Sequence, residues 1–148
     1  MGKVLSVRQW IFAAAVSASA LPAGAVNPAE LLDPQEAFRL TVKGVDKHSA
    51  EVEFRIAPGY YLYRDRFRFE TASGKVIADA VLPSGKVKQD PLFGRSEIYR
   101  DHVRIKVPLT NADLGDKRVR LKVISQGCAD VGVCYIPQEQ WVEVRLSQ

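Results

Sequence analysis

Thiols, imidazoles and long apolar runs are all scarce in this chain, and each scarcity excludes something. Its 148 residues include two cysteines and two histidines. A closed zinc site takes four ligands from such side chains. Cys128 and Cys134 would therefore need both His48, in an expected turn, and His102, at an expected strand start. No metal site is expected. The cysteines lack the Cys-x-x-Cys spacing of a thioredoxin, and no βαβ pattern accompanies them. Internal repeats and low-complexity segments are missing, and no stretch reads as a convincing amphipathic helix. Beyond the first 25 residues, no apolar run approaches the roughly 20 residues of a membrane span. Nor is charge of one sign concentrated anywhere: Lys and Arg are interleaved with Asp and Glu, as on an ordinary solvated face. With a formal charge of only +4, the chain carries no nucleic-acid footprint.

What the N-terminus does hold is an export signal. Lys3 and Arg8 form a basic start, Trp10 to Leu21 an apolar stretch, and Ala23-Gly24-Ala25 fits the small-x-small cleavage rule. The expectation is a signal peptide over residues 1–25 cut before Val26, with Ala18-Ser19-Ala20 as the second site. An uncleaved anchor is the alternative, but the apolar run is short for a span. Cleavage leaves residues 26–148, or 123 residues, enough for one domain with a real core. It also removes two positive charges and no acid, lowering the formal charge to +2. In an oxidising compartment, neighbouring thiols are expected to form a disulfide.

The mature part is dominated by period-two alternation. After a Pro-containing lead-in, with a helical turn expected around Pro28 to Leu32, Phe38, Leu40 and Val42 alternate with Arg39, Thr41 and Lys43. Val52, Phe54 and Ile56 repeat the pattern, and each run reads as a half-buried strand. Ala57-Pro58-Gly59 marks a turn before Tyr60-Tyr61-Leu62-Tyr63, Phe67 and Phe69. Val76 to Leu82 is a further strand candidate, closed by Pro83-Ser84-Gly85. Lys86 to Arg95 breaks the rhythm, and Asp90-Pro91-Leu92-Phe93-Gly94 reads as a loop carrying two large apolar side chains. Alternation returns over Val103 to Leu109, Val119 to Val123 and Trp141 to Leu146. About eight short strands with regular turn signals predict an all-β, immunoglobulin-like antiparallel β-sandwich.

The cysteines do not form the usual immunoglobulin bridge, which joins two sheets across a long separation with a tryptophan between its ends. Cys128 and Cys134 lie in one loop, with five residues between them, placed at one end of the sandwich. Gly127 and Gly132 give that loop the backbone freedom to close. By spacing alone the pair is either a staple or a redox centre. As a staple it would contribute only about 2 kcal/mol, because so short a loop has little entropy to lose.

Three motifs in order narrow this: Gly59-Tyr60-Tyr61-Leu62-Tyr63-Arg64, Phe93-Gly94-Arg95-Ser96-Glu97-Ile98-Tyr99-Arg100-Asp101 and Gly127-Cys128-Ala129-Asp130-Val131-Gly132-Val133-Cys134-Tyr135. Together they resemble the N-terminal periplasmic domain of the thiol:disulfide interchange protein DsbD, over about Leu32 to Leu146. The resemblance implies a soluble, monomeric periplasmic electron carrier that needs no cofactor. Its reduced cysteine pair would serve oxidised thioredoxin-like proteins, such as the disulfide isomerase DsbC and the thiol reductant of cytochrome c maturation. A membrane-linked thioredoxin-like domain would re-reduce it. Cys134 would form the mixed disulfide and Cys128 would resolve it.

The resemblance also makes Asp90 to Gly94 a cap loop, with Leu92 and Phe93 packed over the cysteines, and makes Tyr61, Tyr63 and Tyr135 site-lining residues. Read without it, Leu92 and Phe93 complete the end of the core and the tyrosines belong to an ordinary strand. Where the family's cap commonly reads Asp-Glu-Phe-Tyr-Gly, this chain has Pro91 for the acid and Leu92 for the shielding phenylalanine, so the cap is expected to be stiffer, with Phe93 available as the shield. The chain stops at Gln148, where the family continues into membrane and thioredoxin-like domains, and a free-standing module is the resulting expectation. The rival readings are a binding or assembly sandwich with a structural disulfide and, behind it, a copper- or zinc-handling domain.

Overall fold

Alternation along the chain becomes antiparallel pairing. The computed structural model describes residues 30–110 and 118–146; the expected leader and its cleavage site lie outside them. In chain order the elements are α1 (Pro34–Ala37), β1 (Phe38–Asp46), β2 (Ser49–Ile56), β3 (Tyr60–Tyr63), β4 (Arg68–Thr71), β5 (Lys86–Asp90), β6 (Gly94–Tyr99), β7 (His102–Pro108), β8 (Arg118–Ser125), β9 (Gly127–Ala129), β10 (Val133–Cys134) and β11 (Gln138–Arg145). They form sheets of order β1-β2-β7, β11-β8-β4 and β10-β9-β3-β6-β5. No described helix is long and apolar enough to cross a membrane.

The inward-facing residues are those that the period of two selects. Val52, Phe54, Ile105 and Val107 from the first sheet share one buried cluster with Phe69, Leu121, Val123 and Val144 from the second. Each such side chain stabilises the fold by about 1.5–3 kcal/mol relative to exposure. The result is the expected all-β immunoglobulin-like sandwich. Its third sheet contributes Tyr60, Leu62, Tyr99 and Ala129 to the same core.

Three local features differ from the sequence reading or add to it. An α-helical turn forms at Pro34–Ala37, because Pro34 pre-sets the backbone of a first helical residue; of the turn expected around Pro28 to Leu32, Pro28 and Ala29 lie outside the described residues and Glu30 is in a 3-10 turn. Val76 to Leu82 is no strand: only Val76 and Val81 make isolated bridges, and both are exposed. Lys86 to Asp90, which broke the rhythm, is instead the edge strand of the five-stranded sheet. Its outward residues have no core to face, so no hydrophobic alternation marks it.

One glycine locks the third sheet to the core. A Cβ on Gly127 would collide with the Tyr61 carbonyl oxygen and come within 2.6 Å of Phe38 Cζ. The backbone partner cannot yield as a flexible side chain would. Gly127→Ala is therefore expected to lower stability by about 3 kcal/mol, in the range of other overpacked sites, read as the urea midpoint of the oxidised protein. A midpoint shift under about 0.5 kcal/mol, the size of an ordinary surface change, would refute this packing.

Candidate active site

The two cysteines face each other across a hairpin. Cys128 on β9 pairs with Cys134 on β10, and the two form a disulfide. The Tyr135 N–H donates to the Gly127 carbonyl at 3.0 Å, so the next rung, Cys128 with Cys134, is a non-hydrogen-bonded position. Facing residues come closest there, and the Cα atoms are 3.9 Å apart. Asp130, Val131 and Gly132 make the turn, with Gly132 at φ 90°, a conformation glycine adopts without steric cost. The expected cysteine loop is thus a miniature hairpin at the sheet's edge.

β3 supplies the floor. All four of its residues are buried, because the strand has a cluster on each face. Tyr60 and Leu62 turn into the main core, while Tyr61 and Tyr63 turn the other way and join Ile98 and Cys128 in a second, smaller cluster. Phe93 and Cys134 pack against this cluster, half-buried. Cys128 is fully buried, so the two sulfurs are unequally accessible.

A single carboxylate organises the polar groups. The Tyr61 and Tyr63 hydroxyls both donate to Asp90 Oδ2, at 2.8 and 2.7 Å. The N–H groups of Leu92 and Phe93 donate to Asp90 Oδ1, at 2.9 and 3.2 Å. Lys88 Nζ stands 3.5 Å from Oδ2. Asp90 is 4% exposed, and burial opposes its charge, but these hydrogen bonds outweigh burial and hold its carboxyl well below the usual carboxylate range. Burial first, then the hydrogen bonds to Tyr61 and Asp90, push the Tyr63 phenol far above its ordinary value, so it stays protonated. Burial likewise raises Tyr61. The Tyr63 hydroxyl also lies 3.2 Å from Cys128 Sγ and 4.0 Å from Cys134 Sγ, which links the carboxylate to the disulfide through one phenol.

The β5–β6 hairpin covers the site. Asp90 pairs with Gly94 across a three-residue loop, and Gly94 takes a positive φ of 69°, the left-handed residue that such loops use. Asp90 sets the loop by accepting its N–H groups. Phe93 turns inward, edge-on to Tyr63 with ring centroids 5.0 Å apart. Leu92 points away and is 66% exposed. Of the two apolar side chains expected over the cysteines, Phe93 packs against the cluster that holds Cys128, and Leu92 does not.

Other expected residues lie apart. Tyr135 follows Cys134 but faces the opposite side of its strand, where its ring packs against Phe38 and Tyr60 and its hydroxyl donates to the Leu32 carbonyl at 2.6 Å. His48 lies in the β1–β2 turn and His102 opens β7, paired with Arg55. Several cations that sequence reading passed over gather here. Arg100 grips Asp130 of the cysteine hairpin through two hydrogen bonds of 2.9 and 2.7 Å, and its guanidinium lies 5.2 Å from the centre of the Tyr61 ring. Lys88 sits 5.0 Å from the same ring, and Arg66 lies 4.5 Å from the centre of Phe93. Arg100 and Asp130 sit inside the quoted motifs; Arg66 and Lys88 left no signal.

A sandwich whose cross-strand disulfide lies outside the main core, in a small aromatic cluster that a neighbouring hairpin completes, belongs to the class of immunoglobulin-like domains with a cysteine hairpin at a sheet edge. Within that class the chain is a member of the DsbD N-terminal family: the sequence profile described as thiol:disulfide interchange protein DsbD, N-terminal, matches residues 28–146. It is 35% identical over 123 residues to thiol:disulfide interchange protein DsbD 2 of Pseudomonas aeruginosa, covering 83% of this chain and 19% of the relative. It is 40% identical over 127 residues to thiol:disulfide interchange protein DsbD of Ralstonia nicotianae, covering 84% and 20%. The chain thus spans about a fifth of the length of these relatives. The crystal structure of the Neisseria meningitidis DsbD N-terminal domain in the reduced form superposes with a TM-score of 0.71 at 31% identity, covering 80% of this chain and 93% of that one. The DsbD N-terminal domain in complex with the PilB N-terminal domain, from the same organism, gives 0.63 at 30% identity, covering 77% and 87%.

Proposed function

We propose that this domain carries electrons in the periplasm, through Cys128 and Cys134, from a membrane-linked thioredoxin-like donor to oxidised thioredoxin-like proteins that serve disulfide isomerisation and cytochrome c maturation. The observation that carries this reading is the unequal burial of the two cysteines: Cys134 is half-buried at the sheet edge and Cys128 is fully buried. Only one sulfur can meet a large partner first. The related DsbD N-terminal domain whose structure was solved in complex with a PilB N-terminal domain supports a protein partner.

In the reduced domain, the Cys134 thiolate attacks one sulfur of the partner's disulfide. A bond from Cys134 to the partner forms as the partner's own S–S bond breaks, and its second sulfur leaves as a thiolate. Cys128 then attacks Cys134 Sγ, which re-forms the internal disulfide and releases the partner's remaining sulfur. Two electrons have passed to the partner, and two protons complete its dithiol. Tyr63 has one proton and two acceptors in reach, Asp90 and Cys128. Its hydroxyl rotates to donate to Cys128 when that sulfur carries charge, and returns to Asp90 when the disulfide closes. Phe93 covers the disulfide at rest, and the Asp90–Gly94 turn swings aside for the partner.

The reduction potential tests this reading. Equilibration of the oxidised protein in glutathione buffers is expected to give about −120 to −270 mV, the span of exchange proteins. A value below about −300 mV would mark a structural bridge and overturn the reading.

A further inference from the structure

Arg66 stands where the cover could be held or released. It lies in the 3-10 turn Arg64–Arg66 that directly follows Tyr63, and its guanidinium rests on the face of Phe93, 4.5 Å from the ring centre. Phe93 is held between this cation and the edge of Tyr63. Among the described residues Arg66 makes no hydrogen bond, and its ion-pair approach is a loose 3.9 Å to Asp65 of its own turn. The other cations at the site are more fully engaged: Arg100 is paired bidentately with Asp130, and Lys88 approaches the buried Asp90. Arg66 is 41% exposed on its side chain, and beyond that loose approach its planar fork of donors has no partner among the described residues. Such a fork matches a carboxylate bidentately.

We propose that Arg66 is the latch of the aromatic cover, and that an acidic side chain on the docking face of the protein partner draws it off Phe93 and so opens the way to Cys134. The inference rests on the exchange function proposed above and adds a partner chemistry to it. A partner carboxylate that turns the Arg66 guanidinium away from the ring removes one of the two contacts that hold Phe93. Partner recognition thereby lowers the cost of uncovering, and a partner without the acid must break the cation–ring contact unaided.

The oxidised protein can be challenged with two thiols of matched chemistry, neutral 2-mercaptoethanol and anionic 3-mercaptopropionate, which reduce the disulfide by the same exchange. In Arg66→Met the latch is gone, so the neutral thiol is expected to react about threefold faster than with the unaltered protein, as the modest strength of an exposed cation–ring contact allows. The anionic thiol loses its carboxylate's handle, so the ratio of anionic to neutral rates is expected to fall about threefold. That fall should vanish at 1 M salt, where charge is screened within about 3 Å. Arg66→Lys keeps the charge and loses the planar fit, and should lie between. An unchanged neutral rate in Arg66→Met would overturn the latch, and an unchanged ratio would overturn carboxylate release. A melting curve like that of the unaltered protein excludes a folding defect at this exposed turn. Failure of the unaltered protein to react with either thiol would count against the exchange function itself, a result distinct from failure of the latch.

Discussion

Cys134→Ser is expected to abolish electron transfer to an oxidised thioredoxin-like partner, whereas Cys128→Ser is expected to stall at a covalent complex with it. The asymmetry follows from burial. Cys134 is half-buried at the free edge of the five-stranded sheet, and Cys128 is fully buried in the cluster with Tyr61, Tyr63 and Ile98. Without Cys134 no sulfur is presented for the first exchange, so the loss should approach the assay limit. Without Cys128 the first exchange proceeds, but the mixed disulfide has no internal thiol to resolve it. Non-reducing electrophoresis of each variant, reduced and mixed with a partner carrying a single attackable disulfide, separates the two. A covalent complex formed by Cys134→Ser and not by Cys128→Ser would reverse the assignment.

Asp90→Ala is expected to destabilise the oxidised domain by about 3 kcal/mol, since removing one partner of buried hydrogen bonds leaves the others unsatisfied. Two phenols and two N–H groups lose their acceptor at once. Asp90→Asn keeps an acceptor oxygen and should cost less. The same carboxylate predicts a pH dependence. Its folded pKa lies below the ordinary 3.8, so the stability that its charge contributes is fully present above that value and is lost as pH falls through the folded value. Urea midpoints should therefore be insensitive to this group near neutrality and fall on acidification below about pH 4, less steeply in Asp90→Asn than in the unaltered chain. Equal acid slopes in the two proteins would show that Asp90 is not the charge being protected.

What could be read from the chain was what repeats or clusters within it. The strands with one face in the core declared themselves by alternation, as in Val52, Phe54 and Ile56, and the cysteines by being the only pair. β3 was harder, since a strand buried on both faces has no alternation to display; its four residues divide between two clusters that only the fold distinguishes. The edge strand Lys86–Asp90 was missed for the opposite reason, its Val87 being 58% exposed. Val76 to Leu82 has the apolar composition of a strand, yet Val81 is 64% exposed and the segment makes only isolated bridges. The seating of Phe93 rather than Leu92 against the Tyr61 and Tyr63 cluster depends on the sense of a three-residue turn. The approach of Arg66 depends on where a different strand ends. Neither is encoded in local spacing.

The double burial of β3 also limits how this domain can be altered. Within four consecutive residues, every side chain is committed, alternately to the sandwich and to the disulfide. A substitution that retunes the site from Tyr61 or Tyr63 presses on a backbone whose other face is core, so reactivity and folding cannot drift independently there. The two hairpin turns are different ground: Leu92 and Val131 are exposed and answer to neither cluster. Diversification of partner preference within this scaffold should therefore collect at the turn positions, while the strand beneath them stays still.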